Sequence, residues 1–399
     1  MSQGWRPAVA GEFARRAFAS GVLDLARAEG LADLLNAETA AQRRQALAAA
    51  DGSLARRAAA WRAAALRCLA HAEAAIDFGE DAALGDGVAA GVAPAAAALR
   101  AELAAELARS GWAPPAADAT TSTVAPTPRA ELVRSGVRVA LGGAPNAGKS
   151  SLLNCLAGRE AAIVSPRAGT TRDALPVGLE LGGHKLVVTD TAGLRESELT
   201  ACDELEIEGM RRARAALAAA HVRLLVLDAA AVAKSPPSEA EWGQPLLQAG
   251  PQQLLVVALN KADLLTPQQR AMPPVQLLPP WLARRCAAGN AAVAGPWLLS
   301  CATGDGVDAL CGALRAAAQA LLGADAEEPH AVTRARHAAA LRDAVSALDA
   351  ARQAASAGAD ELAAEELRAA AAALGRLTGV EVGTEDVLDV IFSEFCIGK

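Results

Sequence analysis

Residues 137–156 read VRVALGGAPNAGKSSLLNCL, and this stretch decides the fold. The apolar run at 137–141 has the length of a buried strand, and residues 151–156 have the apolar spacing of a helix. Between them, residues 143–150 match the pattern G-x-x-x-x-G-K-S/T. In such a loop the backbone N–H groups close around phosphates, Lys149 reaches the β and γ phosphates, and the Ser150 hydroxyl takes a Mg²⁺ position. The stretch therefore predicts a nucleotide-binding P-loop domain.

Further short apolar runs alternate with helical segments downstream, at 186–189, 224–227, 254–259 and 297–299. Such alternation is typical of a mostly parallel sheet with helices on both faces. Two Pro-rich intervals, 233–251 and 266–296, are interpreted as surface insertions.

The flanks of this α/β unit have helical periodicity, from Gly11 to about Arg109 and again from about Glu328. Residues 111–130 contain four prolines and are interpreted as a linker. We therefore predict helical material at 1–132 and 326–399 around an α/β domain at 133–325. The helical parts are either two separate domains or one domain into which the α/β unit is inserted.

Three further motifs follow strands, at the edge where ligands bind in open α/β sheets. Residues 190–193 (DTAG) are typical of a Walker-B aspartate with a glycine that approaches the γ-phosphate. In residues 260–263 (NKAD), the Asp263 carboxylate can accept from both N1–H and the exocyclic amine of guanine, a donor pair that adenine lacks. Residues 300–302 (SCA) suit a loop that closes over the base. Together the motifs predict a GTP site.

Residues 169–173 (GTTRD) lie where a switch threonine would complete the Mg²⁺ shell. Leu194 occupies the position at which Ras-like enzymes have a water-orienting glutamine. Another polar group must therefore place the water, with candidates in the acidic run 196–208, and a cation near Asn146 can supply the missing positive charge. The predicted GTP-binding residues are Asn146, Ala147, Gly148, Lys149, Ser150, Ser151, Ser165, Pro166, Arg167, Ala168, Gly169, Thr170, Thr171, Asp190, Thr191, Ala192, Gly193, Asn260, Lys261, Ala262, Asp263, Ser300, Cys301 and Ala302.

Composition restricts the class of protein further. The net charge of −7 and the absence of tyrosine argue against a sequence-independent hold on nucleic acid, so we expect no DNA partner. Seven scattered cysteines without a CxxC pair indicate neither a disulfide framework nor a zinc site. Arginines interrupt every apolar run, so we expect no membrane segment. An Arg-rich start is compatible with a transit peptide, although Glu12, Asp24 and Glu29 argue against one.

Several segments together resemble the MnmE (TrmE) family of tRNA-modification GTPases over nearly the whole chain. They are residues 11–18 (GEFARRAF), 23–29, 74–78, 145–154, 169–173, 364–368 and the ending Phe395-Cys396-Ile397-Gly398-Lys399. The resemblance implies that the GTPase domain is inserted into an all-α helical domain. The ending Phe395-Cys396-Ile397-Gly398-Lys399 distinguishes this family from ribosome-assembly GTPases, which have similar GTPase domains.

The resemblance also implies catalytic roles. K⁺ would be held by Asn146, Ser165, Arg167 and Thr170, and Mg²⁺ by Ser150 and Thr171. Glu206 would position water, with Glu204 and Glu208 as alternatives because the loop after Gly193 is long. Thr171 and Glu206 are thus the predicted catalytic residues, and Cys396 and Lys399 form a tail that serves tRNA modification.

Partners follow from the same resemblance. The family modifies uridine 34 of tRNA with a flavin-dependent partner protein and forms homodimers through its GTPase domains. It normally begins with a further N-terminal domain that binds formyl-tetrahydrofolate, and this chain is expected to start after it. Val22 stands where the family usually has a lysine, which puts folate use in doubt. The expected compartment is the cytoplasm of a bacterium, or a mitochondrion or plastid. The alternatives are a GTP-dependent scaffold or truncated paralogue without modification activity, and a ribosome-assembly GTPase.

Overall fold

A computed structural model of the chain describes residues 6–77, 82–112, 127–159, 162–163, 176–190, 215–237, 253–287, 293–323 and 329–379. The strands are β1 (Val137–Gly142), β2 (Ala162–Ile163), β3 (Val177–Leu181), β4 (His184–Asp190), β5 (Val222–Asp228), β6 (Leu254–Asn260) and β7 (Val293–Leu298). The helices described from end to end are α1 (Glu12–Ala19), α2 (Leu25–Leu35), α3 (Ala40–Ala50), α4 (Ser53–Asp77), α5 (Ala82–Arg109), α6 (Arg129–Ser135), α7 (Lys149–Arg159), α8 (Ala229–Lys234), α9 (Pro267–Ala271), α10 (Pro280–Ala287), α11 (Val307–Leu322), α12 (Ala335–Ser356) and α13 (Asp360–Thr378).

The strands form one sheet in the order β2-β3-β4-β1-β5-β6-β7. β4, β1, β5, β6 and β7 are parallel, whereas β3 pairs antiparallel with both β2 and β4. The predicted mostly parallel sheet is confirmed. β2 and β3 were not predicted, because the β3 sequence VGLEL is interrupted by a glycine and a glutamate and lacks a continuous apolar run.

Helices cover both faces of the sheet. One core contains Leu152 and Leu156 of α7 and Leu314 of α11, and the other contains Val232 of α8 and Leu282 of α10. The interpretation of 266–296 as a surface insertion was therefore wrong in part. This interval forms α9, α10 and a 3₁₀ turn at 274–277, and it buries Leu277, Leu278 and Leu282 against the sheet. Five of its six prolines stand at or just before the starts of these short segments, where a missing N–H costs little, and the sixth, Pro296, lies in β7.

The helical unit is a bundle in which α4, α5, α12 and α13 each pack on two neighbours in a closed ring. Its core is rich in alanine, which lets helices approach closely, and contains the buried residues Trp61 and Trp112. Trp112 Nε1 donates to the Val332 carbonyl at 3.0 Å and so joins the segments on either side of the α/β unit. Trp112 thus belongs to the bundle, although the sequence placed it in a linker. The structure confirms one helical domain with an inserted α/β domain.

A buried polar network fastens α2 to the start of α12. Arg336 Nη2 donates to Glu29 Oε2 at 2.9 Å, and His337 Nε2 lies 2.7 Å from the same oxygen. Burial would raise the pKa of Glu29, but the hydrogen bonds from His337 and Arg336 and the positive charge of Arg336 lower it below its ordinary value. Burial lowers the pKa of His337. A neutral imidazole also suits the geometry, because His337 Nδ1 has no hydrogen-bond partner among the described residues.

The two domains meet where α3 lies against α6 and β4. Gln42 Nε2 donates to the Arg134 carbonyl at 2.8 Å, and Gln45 Nε2 donates to the Ala130 carbonyl at 3.0 Å. Lys185 at the start of β4 is ion-paired with Glu38, just before α3. These contacts surround a polar cavity of about 240 Å³. The junction between the two domains is therefore held by polar contacts whose residues line this cavity.

Candidate nucleotide-binding site

The P-loop backbone approaches its neighbours too closely for side chains at two positions. Gly143 has a φ of 151°, and a Cβ there would lie 2.2 Å from the Val226 carbonyl oxygen. Gly148 has a φ of 90°, and a Cβ there would lie 2.2 Å from Asn260 Nδ2. Asn146 also has a positive φ, 64°, which asparagine tolerates better than most residues. The glycines let the loop curl into a phosphate-sized turn.

Lys149 and Ser150 stand at the first turn of α7. The Lys149 ammonium donates to the carbonyls of Gly143 at 3.0 Å and Ala144 at 2.7 Å, so it lies across the mouth of the loop. The Ser150 hydroxyl donates to Asp190 Oδ2 at 2.7 Å. The pairing of Leu141 with Asp190 in the β1–β4 register brings this carboxylate beside the loop.

The pair of Ser150 and Asp190 fits a magnesium site. Mg²⁺ prefers hard oxygen ligands and usually takes one or two of them from protein and others from phosphate and water. A hydroxyl and a carboxylate oxygen at 2.7 Å, at the base of a phosphate loop, supply such ligands. The described residues contain no group of three or more His, Cys, Asp or Glu suited to a metal. A Mg²⁺ ion that takes most of its ligands from phosphate and water does not need such a group.

Asn260 joins three parts of the site. It is buried, its Nδ2 donates to the Ala147 carbonyl at 3.0 Å, and its Oδ1 accepts from the Cys301 N–H at 3.1 Å. The P-loop, the end of β6 and the loop after β7 are therefore held in one arrangement. The sequence analysis assigned Asn260 to base recognition. The structure adds a second role, since Asn260 also holds the P-loop through its hydrogen bond to the Ala147 carbonyl.

The Asp263 carboxylate and the 300–306 loop face each other. Ser300 Oγ donates to Asp263 Oδ1 at 2.5 Å and also accepts from the Thr303 N–H at 3.3 Å. Burial raises the pKa of the Cys301 thiol to about 11, so the thiol is neutral, and its backbone N–H makes the contact to Asn260. Ser300 thus orients one oxygen of the Asp263 carboxylate. A carboxylate held in this way is suited to accept hydrogen bonds from two donors that lie in one plane.

Two charged residues that the sequence analysis did not single out also border the site. Asp228, the last residue of β5, contacts Lys261 Nζ through Oδ2 at 2.7 Å. Arg159 at the end of α7 donates to the Gly304 carbonyl at 2.8 Å and to Asp308 at 2.5 Å. Asp228 could have been found from the sequence, because it ends a strand at the same edge of the sheet as the motifs. No sequence pattern marks Arg159 as part of the site.

The remaining predicted site residues lie outside the described residues. They are Ser165, Pro166, Arg167, Ala168, Gly169, Thr170, Thr171, Thr191, Ala192, Gly193, Glu204, Glu206, Glu208, Cys396 and Lys399. Of the predicted GTP-site residues, the structure brings together the 146–151 segment, Asp190, 260–263 and 300–302 along one edge of the sheet.

Known proteins were compared with the chain as a whole. The family profile described as MnmE helical domain matches residues 25–396. The chain is 46% identical to the tRNA modification GTPase MnmE of Rhodospirillum rubrum, over 99% of this chain and 75% of that protein. It is 43% identical to the human mitochondrial 5-taurinomethyluridine-tRNA synthase subunit GTPB3, over 99% of this chain and 73% of that protein.

A solved structure of Aquifex aeolicus Era bound to GDP and AlF₄⁻ matches with 25% identity and a TM-score of 0.34. That match covers 53% of this chain and 66% of the other. Among the described helices, none is long and apolar enough to cross a membrane. The family profile spans most of the chain, and the similarity to the Rhodospirillum rubrum protein covers three quarters of that relative. The chain therefore belongs to the MnmE family of tRNA modification GTPases.

Proposed function

We propose that the site binds GTP with Mg²⁺ and that this chain hydrolyses it in the course of tRNA modification. The observation that supports guanine binding is the Asp263 carboxylate, oriented by Ser300 beside the braced Asn260. Lys149 would neutralise phosphate charge, and Ser150, Asp190 and Thr171 would surround Mg²⁺.

Hydrolysis needs a positioned water and a positive charge against the transferred phosphoryl group. Leu194 provides no hydrogen bond to a water, so we assign water positioning to Glu206, with Glu204 and Glu208 as alternatives. K⁺ held by Asn146 together with Ser165, Arg167 and Thr170 would supply the charge. The exposed position of Asn146 at the tip of the P-loop agrees with a cation on the open side of the phosphates.

For the substrate we propose the wobble uridine, position 34, of tRNA, modified together with a flavin-dependent partner protein. The names of the relatives support a tRNA substrate, and that of the human relative specifies a uridine product. A homodimer through the GTPase domains would bring two K⁺ sites together. The chain would act in a bacterial cytoplasm or inside a mitochondrion or plastid; of the relatives named above, one is bacterial and the human one is mitochondrial.

A nucleotide titration tests the guanine assignment. Fluorescent GDP should bind the purified chain in the presence of Mg²⁺ and be displaced by GDP and GTP. ATP should compete at least a thousandfold more weakly, because a site built to pair with two donors rejects a base that lacks them. Equal competition by ATP and GTP would rule out guanine recognition at Asp263.

Complementation of a strain that lacks its own protein tests the role in tRNA. With the family's N-terminal domain supplied, mass spectrometry of uridine 34 should show restored modification by the unmodified gene and none by Cys396→Ser, with GTP hydrolysis unchanged in that variant. GTP hydrolysis without any restored modification by the unmodified gene would instead favour a GTP-dependent scaffold. Full modification by Cys396→Ser would show that the thiol is not needed.

A further inference from the structure

Asp228 stands beside the base-recognition motif without belonging to it. It is the last residue of β5, and in the β5–β6 register it pairs directly with Asn260, the first residue of that motif. Its carboxylate therefore lies at the same edge of the sheet as Lys261 and Asp263. The side chain is about one-fifth exposed, so solvent weakens its charge interactions only partly.

Both oxygens of this carboxylate are used. Oδ1 accepts from the Ala231 N–H at 3.0 Å and caps the N-terminus of α8. Oδ2 contacts the Lys261 ammonium at 2.7 Å. Burial would raise the pKa of Asp228, but the hydrogen bond and charge of Lys261 and the backbone donors of α8 lower it below its ordinary value. The carboxylate is ionised at neutral pH and is itself fixed by the helix that it caps.

Lys261 needs such a partner to adopt one conformation. Its backbone is left-handed, with a φ of 63°, directly between Asn260 and the 3₁₀ turn that contains Asp263. A lysine side chain has a flexible four-carbon stem, and an unpaired one samples many rotamers. Because its ammonium is held by Asp228, both ends of the stem are fixed and fewer rotamers are open to it. Such methylene stems pack on flat apolar surfaces while the charged end stays hydrated or paired.

We infer that Asp228 is a positioning residue for guanine nucleotides, which fixes the Lys261 stem as a platform for one face of the base. The inference rests on the proposed function of residues 260–263 as the guanine site. Asp263 recognises the edge of the guanine base through hydrogen bonds. Lys261, held by Asp228, restricts the positions that the plane of the base can take. The pair thus sets nucleotide affinity by reducing the conformational freedom lost on binding.

Asp228→Asn separates the two roles of the carboxylate. Asparagine caps a helix as well as aspartate does, so α8 and the fold are retained, while the charge on Lys261 is lost. We expect the dissociation constant for GDP to rise about tenfold, with the thermal unfolding midpoint of the nucleotide-free protein unchanged. Asp51→Asn, which removes a carboxylate from an exposed pair with Arg56, is the matched control and should leave GDP binding unchanged. Asp228→Ser, another capping residue, repeats the test if the asparagine variant folds poorly.

A double-mutant cycle locates the effect. Lys261→Met keeps an unbranched stem without the ammonium, so adding Asp228→Asn to it should change GDP affinity no further. An equal loss in both backgrounds would overturn the inference, as would normal GDP affinity in Asp228→Asn. Inosine diphosphate lacks the exocyclic amine. Asp228→Asn should weaken its binding by the same factor as it weakens the binding of GDP. A smaller factor for inosine diphosphate would show that the substitution acts through Asp263, which also overturns it. Failure of the unmodified chain to bind GDP would instead refute the proposed function itself.

Discussion

Lys185 and Glu38 form an ion pair across the junction of the two domains, and each side chain is only about one-fifth exposed. Lys185 lies near the start of β4, and the same strand ends at Asp190, which accepts from Ser150 in the phosphate site. Five residues of extended chain, roughly 17 Å, separate the two contacts. A single strand therefore contacts the helical domain at one end and Ser150 of the P-loop at the other.

Removing the charge of Glu38 should weaken the junction. Glu38→Gln leaves the Lys185 ammonium half-buried without a carboxylate, so we expect the free energy of unfolding to fall by about 1–3 kcal/mol. Urea denaturation followed by circular dichroism measures it. Arg56→Gln, which breaks the exposed pair with Asp51, serves as the comparison and should change stability by less than about 0.5 kcal/mol. Similar losses in the two variants would contradict a special role for the junction pair.

Two glycines on either side of the P-loop lysine should respond in opposite ways to alanine. Gly148→Ala places a methyl group against Asn260 and forces a left-handed conformation, so both stability and GDP affinity should fall, stability by about 1–2 kcal/mol. At Gly158, in α7, a Cβ meets nothing within 4 Å, so alanine should stabilise the helix by about 0.5–1 kcal/mol. Differential scanning calorimetry and GDP titration distinguish the two. Unchanged GDP binding in Gly148→Ala would refute the close approach.

Asp263→Asn should change base preference rather than abolish binding. The amide presents a donor as well as an acceptor, so the variant should lose guanine affinity and gain affinity for xanthine nucleotides, whose oxygen replaces the exocyclic amine. The preference for GDP over XDP should change by a factor on the order of 10⁴. Competition titrations with both nucleotides measure this ratio. An unaltered ratio would place guanine recognition elsewhere.

GTP hydrolysis should be faster in K⁺ than in Na⁺ at the same ionic strength. A supplied positive charge at this position is worth roughly 10³–10⁵ in rate in related reactions, so the ion effect should be large. Asn146→Ala should remove the K⁺ stimulation and leave GDP binding nearly intact. Because Asn146 has a left-handed backbone, Asn146→Gly is the companion variant that removes the amide without strain. Equal rates in the two salts would refute the proposed K⁺ site.

His221 should make stability fall in mild acid. Its Nδ1 accepts from the Arg138 N–H at 2.9 Å, and burial together with the Arg138 charge lowers its pKa to about 4. The unfolded chain takes up this proton near pH 6.5 and the folded chain does not, so the stabilisation present above pH 6.5 is lost as pH falls toward 4. Between pH 7 and 5 the loss should be about 2 kcal/mol.

The measurement is the free energy of unfolding in urea at the two pH values, for the unmodified chain and for His221→Gln. The variant should lose less stability on acidification than the unmodified chain. His71→Gln, at an exposed histidine, is the matched control variant. An identical pH dependence in His221→Gln would show that other groups produce it.

The fold class, and the placing of the described motifs along one edge of the sheet, could be predicted because each motif is short and stands at a strand end. The P-loop, Asp190 and residues 260–263 are local patterns, and parallel strands bring them to one edge. Their chemistry is decided by residue type and spacing alone. The structure added what Asn260 and Asp228 do for their neighbours.

The domain junction and the buried network could not be predicted. Gln45 contacts Ala130, 85 positions away, and His337 contacts Glu29, 308 positions away. Periodicity indicates which face of a helix is buried, but it does not specify the surface that covers that face. A buried glutamate in α2 also contradicts the usual expectation for acidic residues, and only its partners in α12 explain it.

The hydrogen bond from Trp112 to Val332 spans 220 positions, and it sets an order of events during synthesis. Helices α4 and α5 leave the ribosome first, yet α12 and α13, the other half of their bundle, follow only after the whole α/β domain. Contacts of such long sequence separation form late, whereas the buried α/β core residues, apart from Ala41 of α3, all lie between 132 and 322. We therefore expect the inserted domain to complete its fold before the helical domain does, so that the apolar faces of α4 and α5 stay uncovered during that interval.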